Sequence, residues 1–450
     1  MTSIYLGCVQ ISLVTTLISY KDMSGKQLSL FEEQPEDSNE FFDCKRSWSV
    51  AKHRIMLKYI HAFCYSLGGN FNTINYVDGF AGTGKYGSGI GIEDFVKNSN
   101  FWQQHKHEFS DIDGSPLIAL KYAKLFGEEK RVNFRCFFVE NDPSSNEKLS
   151  ENCEFIDINK DLDYKVYAPQ PFDEAFPEIM NNLGNHPTLF FLDAFGVKGF
   201  TFDQICSIGN YVKRHKGDLF LLFHNRSVAR HAGHYTTNST NKSSQKASTT
   251  FTNNLTALLG DNSDIDWKPK WLELRGQPQA FEKWALEYFK NRMRNQGGFK
   301  DVTSFEVKET YSDNRPQYSI VVGSNYPEKA FCEFLNDFIW EENRLLFYQE
   351  NTTKQIKNFL DREWNNENTI RIKKIRNEVV NVLQDVKPSW LSCKDAITKS
   401  ILQISELGFL KRTQYYQEIL TPLYEAGKLE IRKPGARKLF TLNSEIRLVA

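Results

Sequence analysis

Four acidic residues close apolar runs of the sequence, and the first of them opens a glycine-rich turn. These acids are Asp78, Glu140, Asp157 and Asp193, and the turn is the segment YVDGFAGTGKYG at residues 76–87. Parallel strands alternating with helices bring their carboxyl ends to one edge of a sheet, where ligands bind. Carboxylates beside glycines, over which a ligand can approach the backbone closely, are suited to the hydroxyl and amino groups of a nucleoside-like ligand.

The turn satisfies the dinucleotide-binding fingerprint only in part. Gly82, Gly84 and Gly87 have the spacing of its three glycines. The fingerprint also needs an acid about 20 residues further on, at the end of the next strand. Glu140 comes far later than that, so the dinucleotide reading requires a long insertion.

A phosphate-binding loop is the second partial match. The segment from Gly79 to Lys85 has its spacing, but Tyr86 stands where Ser or Thr must reach Mg²⁺, and a phenol cannot replace that small hydroxyl. Asp193, after the apolar run LFFL, could then hold a metal ion. An ATPase therefore remains an alternative, although it leaves the other three acids unexplained.

The third match is the opening turn of S-adenosylmethionine-dependent methyltransferases, an acid at a strand end followed by Gly-x-Gly. On this template Glu140 accepts hydrogen bonds from the ribose hydroxyls, as the acid of dinucleotide folds does. Asp157 accepts from the adenine amino group, and Asp193 faces the substrate. The residues predicted to bind S-adenosylmethionine are Asp78, Gly79, Phe80, Gly82, Gly84, Glu140 and Asp157.

Alternating helical and extended patterns predict the elements that position these acids. Strands are expected at 74–78, 134–139, 153–158, 188–192 and 218–223, with helices between them. Segments 302–307 and 318–322 predict an antiparallel pair at the sheet edge. The Ser/Thr/Asn-rich stretch 234–254 predicts a mobile loop or linker. The fold class is α/β, with a Rossmann-like methyltransferase sheet.

The tail of the chain has a different pattern. Helices at 395–405 and 414–426, followed by strands at 428–432 and 438–442, predict a winged helix-turn-helix. Residues 390–450 contain 10 Lys or Arg and 6 Asp or Glu, about +4 in charge. We expect this wing either to bind DNA or RNA or to dock a protein. The residues predicted to bind nucleic acid are Arg432, Lys433, Arg437 and Lys438.

These patterns divide the chain into four predicted parts. They are a flexible N-terminal segment at 1–45, a Rossmann-like methyltransferase domain at 46–335, a helical connector at 336–388 and a winged helix-turn-helix domain at 389–450. Within the first part, Gln27–Phe31 resembles the peptide by which bacterial replication proteins dock on the DNA sliding clamp, with a hydrophobic staple onto this chain's own core as the alternative. The weak apolar pattern before Met23 suggests that Met23 is the true start.

Composition limits the function classes. Lys plus Arg and Asp plus Glu number 56 each, so only a local patch can attract nucleic acid. The eight cysteines include no C-x-x-C pair, which argues against a zinc site and favours thiols in a reducing cytoplasm. No apolar segment predicts a membrane span, and no metal site is expected.

Five short motifs follow one another along the first half of the chain. They are Ala51–His53, Tyr76–Tyr86, Gly114–Leu120, Phe138–Asp142 and Phe191–Gly196. Together they resemble the motifs of TcmP, the three-Cys-motif partner protein family. The resemblance extends over about residues 50–230, and the predicted winged helix is similar to that family's tail. It implies a bacterial methyltransferase-like domain that works with a separate three-Cys-motif protein, itself similar to radical S-adenosylmethionine enzymes.

The resemblance also suggests the reaction, with one departure. The family usually has Asp-Pro-Phe-Gly after the fourth strand, whereas this chain has Asp193-Ala194-Phe195-Gly196. In related amino-methyltransferases the acid accepts hydrogen bonds from the target amine and the aromatic ring stacks on the flipped base. Asp193 and Phe195 are therefore expected to be catalytic, with a nucleic-acid base nitrogen as the target. Ala194 lacks the stiffening proline, so a non-catalytic nucleic-acid adaptor with a relic pocket stays an alternative.

Two further groups are candidates for ligand contact. Lys52 and His53 precede the first strand, and they contact a ligand or lie on a helix surface. A polar cluster follows the fifth strand, and its members either contact substrate or phosphate or cap a helix in solvent. The members are His224, Asn225, Arg226, Arg230, His231 and His234.

Overall fold

The computed structural model describes residues 45, 47–88, 108–110, 112–194, 196–236, 242–260, 267–308, 310–313, 315–316, 318–351, 357–404, 407–433, 435 and 439–449. The predicted flexible segment, apart from Lys45, and the clamp-like peptide Gln27–Phe31 lie outside the described residues. So do three predicted site residues, Phe195, Arg437 and Lys438.

A seven-stranded, mostly parallel sheet is the framework of the chain. Its order is β3-β2-β1-β4-β5-β7-β6, with β7 antiparallel to both β5 and β6. The parallel sheet and the antiparallel pair at its edge are thus confirmed. The order reverses between β1 and β4, which creates a crevice at their carboxyl ends. The strands are β1 Thr73–Asp78, β2 Asn133–Phe138, β3 Tyr164–Val166, β4 Thr188–Leu192, β5 Gly217–Phe223, β6 Asp301–Val307 and β7 Tyr318–Ser324.

Helices cover both faces of this sheet. No helix among the described residues is both long enough and apolar enough to cross a membrane. A π-helical segment, Glu328–Leu335, runs directly into α10. The helices are α1 Ser47–Leu67, α2 Ser115–Lys130, α3 Pro143–Ile156, α4 Phe172–Asn182, α5 Phe202–His215, α6 Asn225–Tyr235, α7 Lys242–Leu259, α8 Trp267–Glu273, α9 Pro278–Asn295, α10 Asn336–Asn351 and α11 Lys357–Asp385.

The apolar core is divided by the sheet into two clusters. Along β4, Leu189 and Phe191 belong to one cluster, and Phe190 and Leu192 belong to the other, as the alternation of side chains along a strand requires. The first cluster also contains residues on both sides of the predicted boundaries near 335 and 389, such as Ile397 on the C-terminal side. Those domain boundaries stay predictions.

The C-terminal part forms a second, three-stranded sheet of order β8-β10-β9, in which β10 is antiparallel to both neighbours. The strand predicted at 428–432 is confirmed as Leu429–Arg432. The strand predicted at 438–442 is wrong, because the segment that pairs with Leu429–Arg432 is Glu445–Leu448. Helix α13 runs from Arg412–Gln414 through a π-helical stretch at Tyr415–Leu420. The elements are β8 Leu391–Ser392, α12 Cys393–Gln403, α13 ending in Thr421–Glu425, β9 Leu429–Arg432 and β10 Glu445–Leu448.

Two other sequence predictions are wrong. Residues 153–156 belong to α3 and not to a strand, because Leu149 and Cys153 pack one turn apart on its buried side. Most of the stretch predicted as a loop at 234–254 is helical, ending α6 and forming α7. Three Thr hydroxyls of α7 bond back along their own helix, as Thr250 does to the carbonyl of Lys246 at 3.0 Å. Ser248 donates instead to the carbonyl of His234 on α6, while Leu255 and Leu258 are buried.

Candidate active site

The glycine-rich turn leaves β1 at Asp78 and packs tightly against its neighbours. Gly82 and Gly84 have φ of 59° and 74°, a region that favours glycine. A Cβ at Gly84 would lie 2.9 Å from Cδ1 of Leu149 on α3, and one at Gly79 would lie 2.7 Å from Cδ2 of Leu192 on β4. The glycines are therefore needed for the backbone to run between α3 and β4.

The chain after this turn does not form a phosphate-binding loop. Lys85 is exposed and makes an isolated antiparallel bridge with Asp113. Tyr86 is buried, and its amide donates to the carbonyl of Ile112 at 2.8 Å. A phosphate-binding loop requires a helix to begin directly after the glycines, whereas residues 85–88 are not helical and α2 begins only at Ser115. The structure therefore gives the ATPase alternative no support.

Asp78 is completely buried at the end of β1. Its Oδ1 accepts from the amide of Phe80 at 3.2 Å, and its Oδ2 accepts from the hydroxyl of Tyr76 at 3.4 Å. Burial raises the pKa of Asp78 to about 7, against the opposing effect of hydrogen bonds from Ser115 and Phe80. The carboxyl can therefore change its protonation state close to neutral pH.

Glu140, at the end of β2, ties the turn to the start of α3. Its Oε2 accepts from the amide of Gly82 at 2.8 Å, and its Oε1 accepts from the amide of Asp142 at 2.8 Å. Burial raises the pKa of Glu140, and those backbone hydrogen bonds oppose the rise. The amide of Asn141 also contributes to this opposing effect. Since each carboxylate oxygen has two lone pairs, Glu140 keeps some acceptor capacity beyond these bonds.

Asp157 lies away from the other three acids. It caps the carboxyl end of α3, and its Oδ1 accepts from the amides of Asp161 and Leu162 at 2.9 and 3.1 Å. It precedes β3, so it lies towards the amino edge of the sheet, opposite Glu140. Asp157 was expected at the cofactor because a strand was predicted at 153–158, but residues 153–156 belong to α3.

Asp193 follows β4 and forms an ion pair with Lys52 of α1, through Nζ and Oδ2. Lys52 is 4 % exposed, and the side chain of Asp193 is 22 % exposed. Burial works against the charge of Lys52, but the attraction and hydrogen bond of Asp193, together with the phenols of Tyr318 and Tyr86, outweigh it and the pKa of Lys52 is raised. The lysine is an ammonium ion and not a base.

Two phenols and an imidazole surround this ion pair. Tyr86 and Tyr318 are both buried, and burial raises the pKa of each phenol against the opposing charge of Lys52. His53 is buried with its ring 6.2 Å from that of Tyr86, and its Nδ1 has no hydrogen-bond partner. Burial lowers the pKa of His53, with help from Lys45 and Lys52, so its imidazole is neutral.

An aromatic wall separates the turn from the loop after β4. Phe80 packs 5.6 Å from Phe172 and 6.4 Å from Phe200, measured between ring centroids. A Cβ at Gly199 would lie 2.5 Å from Cε1 of Phe80. Phe80 therefore lies beside the loop that contains Asp193, and Ala194 of that loop is fully buried.

The polar cluster predicted after β5 does not converge on one site. Asn225 donates to Oγ of Ser319 at 3.1 Å, and the guanidinium of Arg226 donates to the carbonyl of Arg315 at 3.2 Å. His224 is near the ion pair, since its ring lies 5.6 Å from that of Tyr318 and the charges of Asp193 and Lys52 affect its pKa, which burial lowers.

The remaining members of this cluster have structural roles. Arg230 donates to Oγ of Ser227 at 3.3 Å, Nδ1 of His231 contacts the carbonyl of Ser227 at 2.7 Å, and His234 stacks on Phe251 at 4.4 Å. In the described parts of the chain, no three His, Cys, Asp or Glu side chains are grouped to hold a metal ion.

In the C-terminal sheet, the described basic residues contact acids. Arg432 and Lys433 both bond Glu445, the latter at 2.7 Å. Arg447 bonds Glu430 at 2.7 Å. The guanidinium carbons of Arg432 and Arg447 lie 4.7 and 4.6 Å from the ring centroid of Trp390. The basic charge predicted for this hairpin is thus partly neutralised where it is described.

Sequence reasoning missed two residues of the site, Tyr318 and Ser115. Tyr318 is the first residue of β7, and because β7 is antiparallel to β5, its first residue lies near the carboxyl end of β5, where Ser319 pairs with Phe223. The sequence predicted 302–307 and 318–322 as an antiparallel pair, but not which of the two lies beside β5, so it did not locate Tyr318. Ser115, which bonds Asp78, begins α2 and carried no comparable signal.

Comparisons with known proteins add little to this geometry. No protein-family model and no curated protein matches the chain. The solved structures it resembles include the plantazolicin methyltransferase BamL with a triazolic desmethylPZN analog and SAH, at 8 % identity and a TM-score of 0.23, over 62 % of this chain and 85 % of that one. Geranyl diphosphate methyltransferase with GPP and sinefungin aligns at 10 % identity and a TM-score of 0.19, over 59 % and 78 %. Both TM-scores are below 0.5, so the fold is assigned from the strand order.

Proposed function

We propose that this chain is an S-adenosylmethionine-dependent methyltransferase. The observation that carries the proposal is the hydrogen bond from Gly82 of the turn to Glu140, at the point where the strand order reverses. It brings the glycine-rich turn and the acid of the next strand together in the crevice of the sheet, one strand away from Asp193.

The donors and acceptors at this crevice fit the cofactor. Glu140 keeps acceptor capacity for a ribose hydroxyl, and Asp78 is the acid that would pair with the amino group of the methionine part as a carboxylate. The glycines between them carry no side chain, so a ligand can approach the backbone of the turn closely. When bound, S-adenosylmethionine supplies a methyl group on a sulfonium, which is a strong electrophile, so positioning of the acceptor matters more than a strong base.

The proposed substrate is a nucleic-acid base, methylated on an amino group. Asp193 uses Oδ2 for Lys52, which leaves Oδ1 to accept an N–H of the amine. Phe195 follows two residues later in the chain, where a stacking ring is expected by the resemblance to amino-methyltransferases. Membership of the TcmP family, and with it a three-Cys-motif partner, is proposed on the five sequence motifs.

Calorimetric titration with S-adenosylmethionine tests the cofactor assignment. We expect Glu140→Ala to weaken binding at least about 10-fold, because hydrogen bonds to a charged group contribute about 1.5–3 kcal/mol. Asp157→Asn is the matched control, since it keeps an acceptor for its own turn and lies at the opposite edge of the sheet. Mg²⁺-ATP is the control ligand. Equal loss in both variants, or binding of ATP in place of S-adenosylmethionine, would refute the assignment.

A non-catalytic nucleic-acid adaptor is the second candidate, because the order of the C-terminal elements favours it. Helix α11, strand β8, helices α12 and α13 and the pair β9–β10 follow one another in the order of a winged helix-turn-helix. Methyl transfer from labelled S-adenosylmethionine to DNA or RNA separates the two proposals. Asp193→Ala abolishes transfer by an enzyme, whereas an adaptor shows no transfer and loses nucleic-acid binding on substitution of Arg432.

A further inference from the structure

Lys52 has more hydrogen-bonding capacity than the described chain uses. Its ammonium carries three N–H groups, and Asp193 is the one acceptor that bonds it among the described residues. The side chain is 5 % exposed, so bulk water does not solvate the remaining donors well. Buried donors without acceptors are costly, and their presence at a substrate-facing acid indicates a place for an acceptor on a ligand.

The neighbouring side chain supplies the complementary group. The side chain of Asp193 is 22 % exposed and accepts, whereas the ammonium bonded to it donates. An acceptor and a donor thus lie side by side at the carboxyl end of β4. The aromatic face of Phe191 lies 5.9 Å from Nζ, and the phenols of Tyr86 and Tyr318 are close enough to affect the charge of the ammonium.

We propose that Lys52 and Asp193 together read a base edge on which an amino group adjoins an unprotonated ring nitrogen, with Asp193 accepting from the amine and Lys52 donating to the ring nitrogen. The substrate class is then adenine or cytosine in single-stranded or flipped form. This inference rests on the proposed function and adds Lys52 to it as the residue that determines specificity.

The chemistry of the edge decides between bases. Adenine and cytosine carry an amino donor next to a ring-nitrogen acceptor. This edge matches the ion pair when the amino group faces Asp193 and the ring nitrogen faces Lys52. On the Watson–Crick edge, guanine carries its amino group beside a ring N–H and uracil carries an oxygen beside a ring N–H. Neither edge offers the ring-nitrogen acceptor that Lys52 requires. An amino group needs no prior deprotonation before methyl transfer, so Asp193 has only to accept its N–H and orient it.

Analogues that lack one ring nitrogen test the contact. The substrates are random-sequence single-stranded DNA and RNA, in which adenine is replaced by 1-deazaadenine or 7-deazaadenine, or cytosine by 3-deazacytosine. Binding and methyl transfer are measured for the wild-type chain, Lys52→Met and Lys52→Arg. Lys290→Met is the control, because Lys290 is also buried and paired, with Glu287, but lies on α9.

The expected result is a loss of about 10-fold or more when the contacted nitrogen is removed, which is the effect of one good base contact. Lys52→Met should lose the same factor in binding and transfer on the natural base, with no additional loss on the analogue. Lys290→Met should prefer the natural base over the analogue by the same factor as the wild type. Additive losses, with transfer intact, overturn the inference and leave the methyltransferase proposal standing. A different outcome is that the chain binds S-adenosylmethionine but neither binds nor methylates any pool that contains adenine or cytosine. That outcome overturns both the inference and the proposal of a nucleic-acid substrate.

Folding controls keep a negative result interpretable. Lys52→Met leaves the Asp193 carboxylate unpaired, so its thermal unfolding is compared with that of Lys52→Met combined with Asp193→Asn. The double variant removes both charges and preserves the shape of the acid. If only the single variant is unfolded, the double variant is used on the deaza series, and equal binding of natural and deaza pools by it supports the contact.

Discussion

Arg54 and Glu342 form a buried two-point ion pair between α1 and α10. Nη2 of Arg54 lies 2.6 Å from Oε2 of Glu342, and Nε lies 2.9 Å from the same oxygen. Arg54 is two residues from Lys52, so consecutive parts of α1 bind an acid of the C-terminal helices and an acid of the candidate site. The position of Lys52 therefore depends on how α1 is held by α10.

Breaking this pair should destabilise the protein strongly. Arg54→Met leaves a buried carboxylate without its main partner, and we expect the free energy of unfolding to fall by about 3–5 kcal/mol. Arg54→Met combined with Glu342→Met should be less damaging than the single variant, because no unpaired charge remains. Urea denaturation measures both. A double variant worse than the single one would mean that shape, and not charge, dominates at this contact.

Protonation of Asp78 should make stability depend on pH. Its pKa is about 7 in the folded protein and ordinarily 3.8, so the folded state holds the proton more tightly. The stabilisation is complete below about pH 4 and is lost as the pH rises through 7, with a total of about 4 kcal/mol. Asp218, whose pKa burial raises to about 6, acts in the same direction. The difference between wild type and Asp78→Asn in thermal unfolding from pH 4 to 8 isolates Asp78, and parallel curves would contradict the prediction.

Cofactor binding should release a proton near pH 6. The amino group of S-adenosylmethionine favours the carboxylate form of Asp78, so binding lowers the pKa of this residue and expels its proton. The observed heat of binding should then vary with the ionisation enthalpy of the buffer. In Asp78→Asn this variation should largely disappear. A buffer-independent heat in the wild type would indicate that Asp78 does not face the amino group.

The glycine at 84 should be far less replaceable than another glycine of the same conformation. Gly84 and Gly427 have φ of 74° and 66°, but a Cβ meets Leu149 at 2.9 Å in the first and nothing within 4 Å in the second. Gly427→Ala should cost about 1–2 kcal/mol for backbone strain. Gly84→Ala should cost about 1–3 kcal/mol more because of overpacking. Chemical denaturation measures the free energy of unfolding of both variants. Equal losses would show that the side chain of Leu149 moves aside without an energetic cost.

Glu445 should restrain the affinity of the C-terminal sheet for nucleic acid. It bonds both Arg432 and Lys433, so Glu445→Gln makes these cations available to phosphates. We expect tighter non-specific binding to single-stranded DNA and a salt dependence steeper by about one phosphate contact. Arg432→Ala should have the opposite effect on both. Unchanged binding in both variants would indicate that this hairpin does not contact nucleic acid.

The central strands were predictable because they are buried on both faces. β4 and β5 appear in the sequence as continuous apolar runs, and the structure buries every residue of both. β1 is a shorter apolar segment interrupted by Asn75. Asp78, Glu140 and Asp193 then follow from position, since each comes directly after a strand or within two residues of its end. Such a pattern can be recognised in the sequence without knowledge of tertiary contacts.

The errors have equally specific causes. β3 has only three residues and none of them is fully buried, so the more apolar segment at 153–158 was taken for it. In α7 a polar composition conceals a helix that tertiary packing stabilises through a few leucines. The partner of Lys52 could not be predicted, because Asp193 is 141 positions away in the chain and no local pattern connects them.

The place of β7 in the sheet sets the order in which the molecule can be completed during synthesis. β7 lies between β5 and β6, although it is made after both. Until residues 318–324 leave the ribosome, one side of β5 lacks its hydrogen-bonding neighbour, and β5 is wholly apolar apart from Gly217 and Asp218. An apolar edge of this kind invites pairing with other chains. The nascent protein therefore passes through a stage in which the edge of β5 is exposed to other chains. Pairing of β7 with β5 ends this stage and also brings Tyr318 into the site.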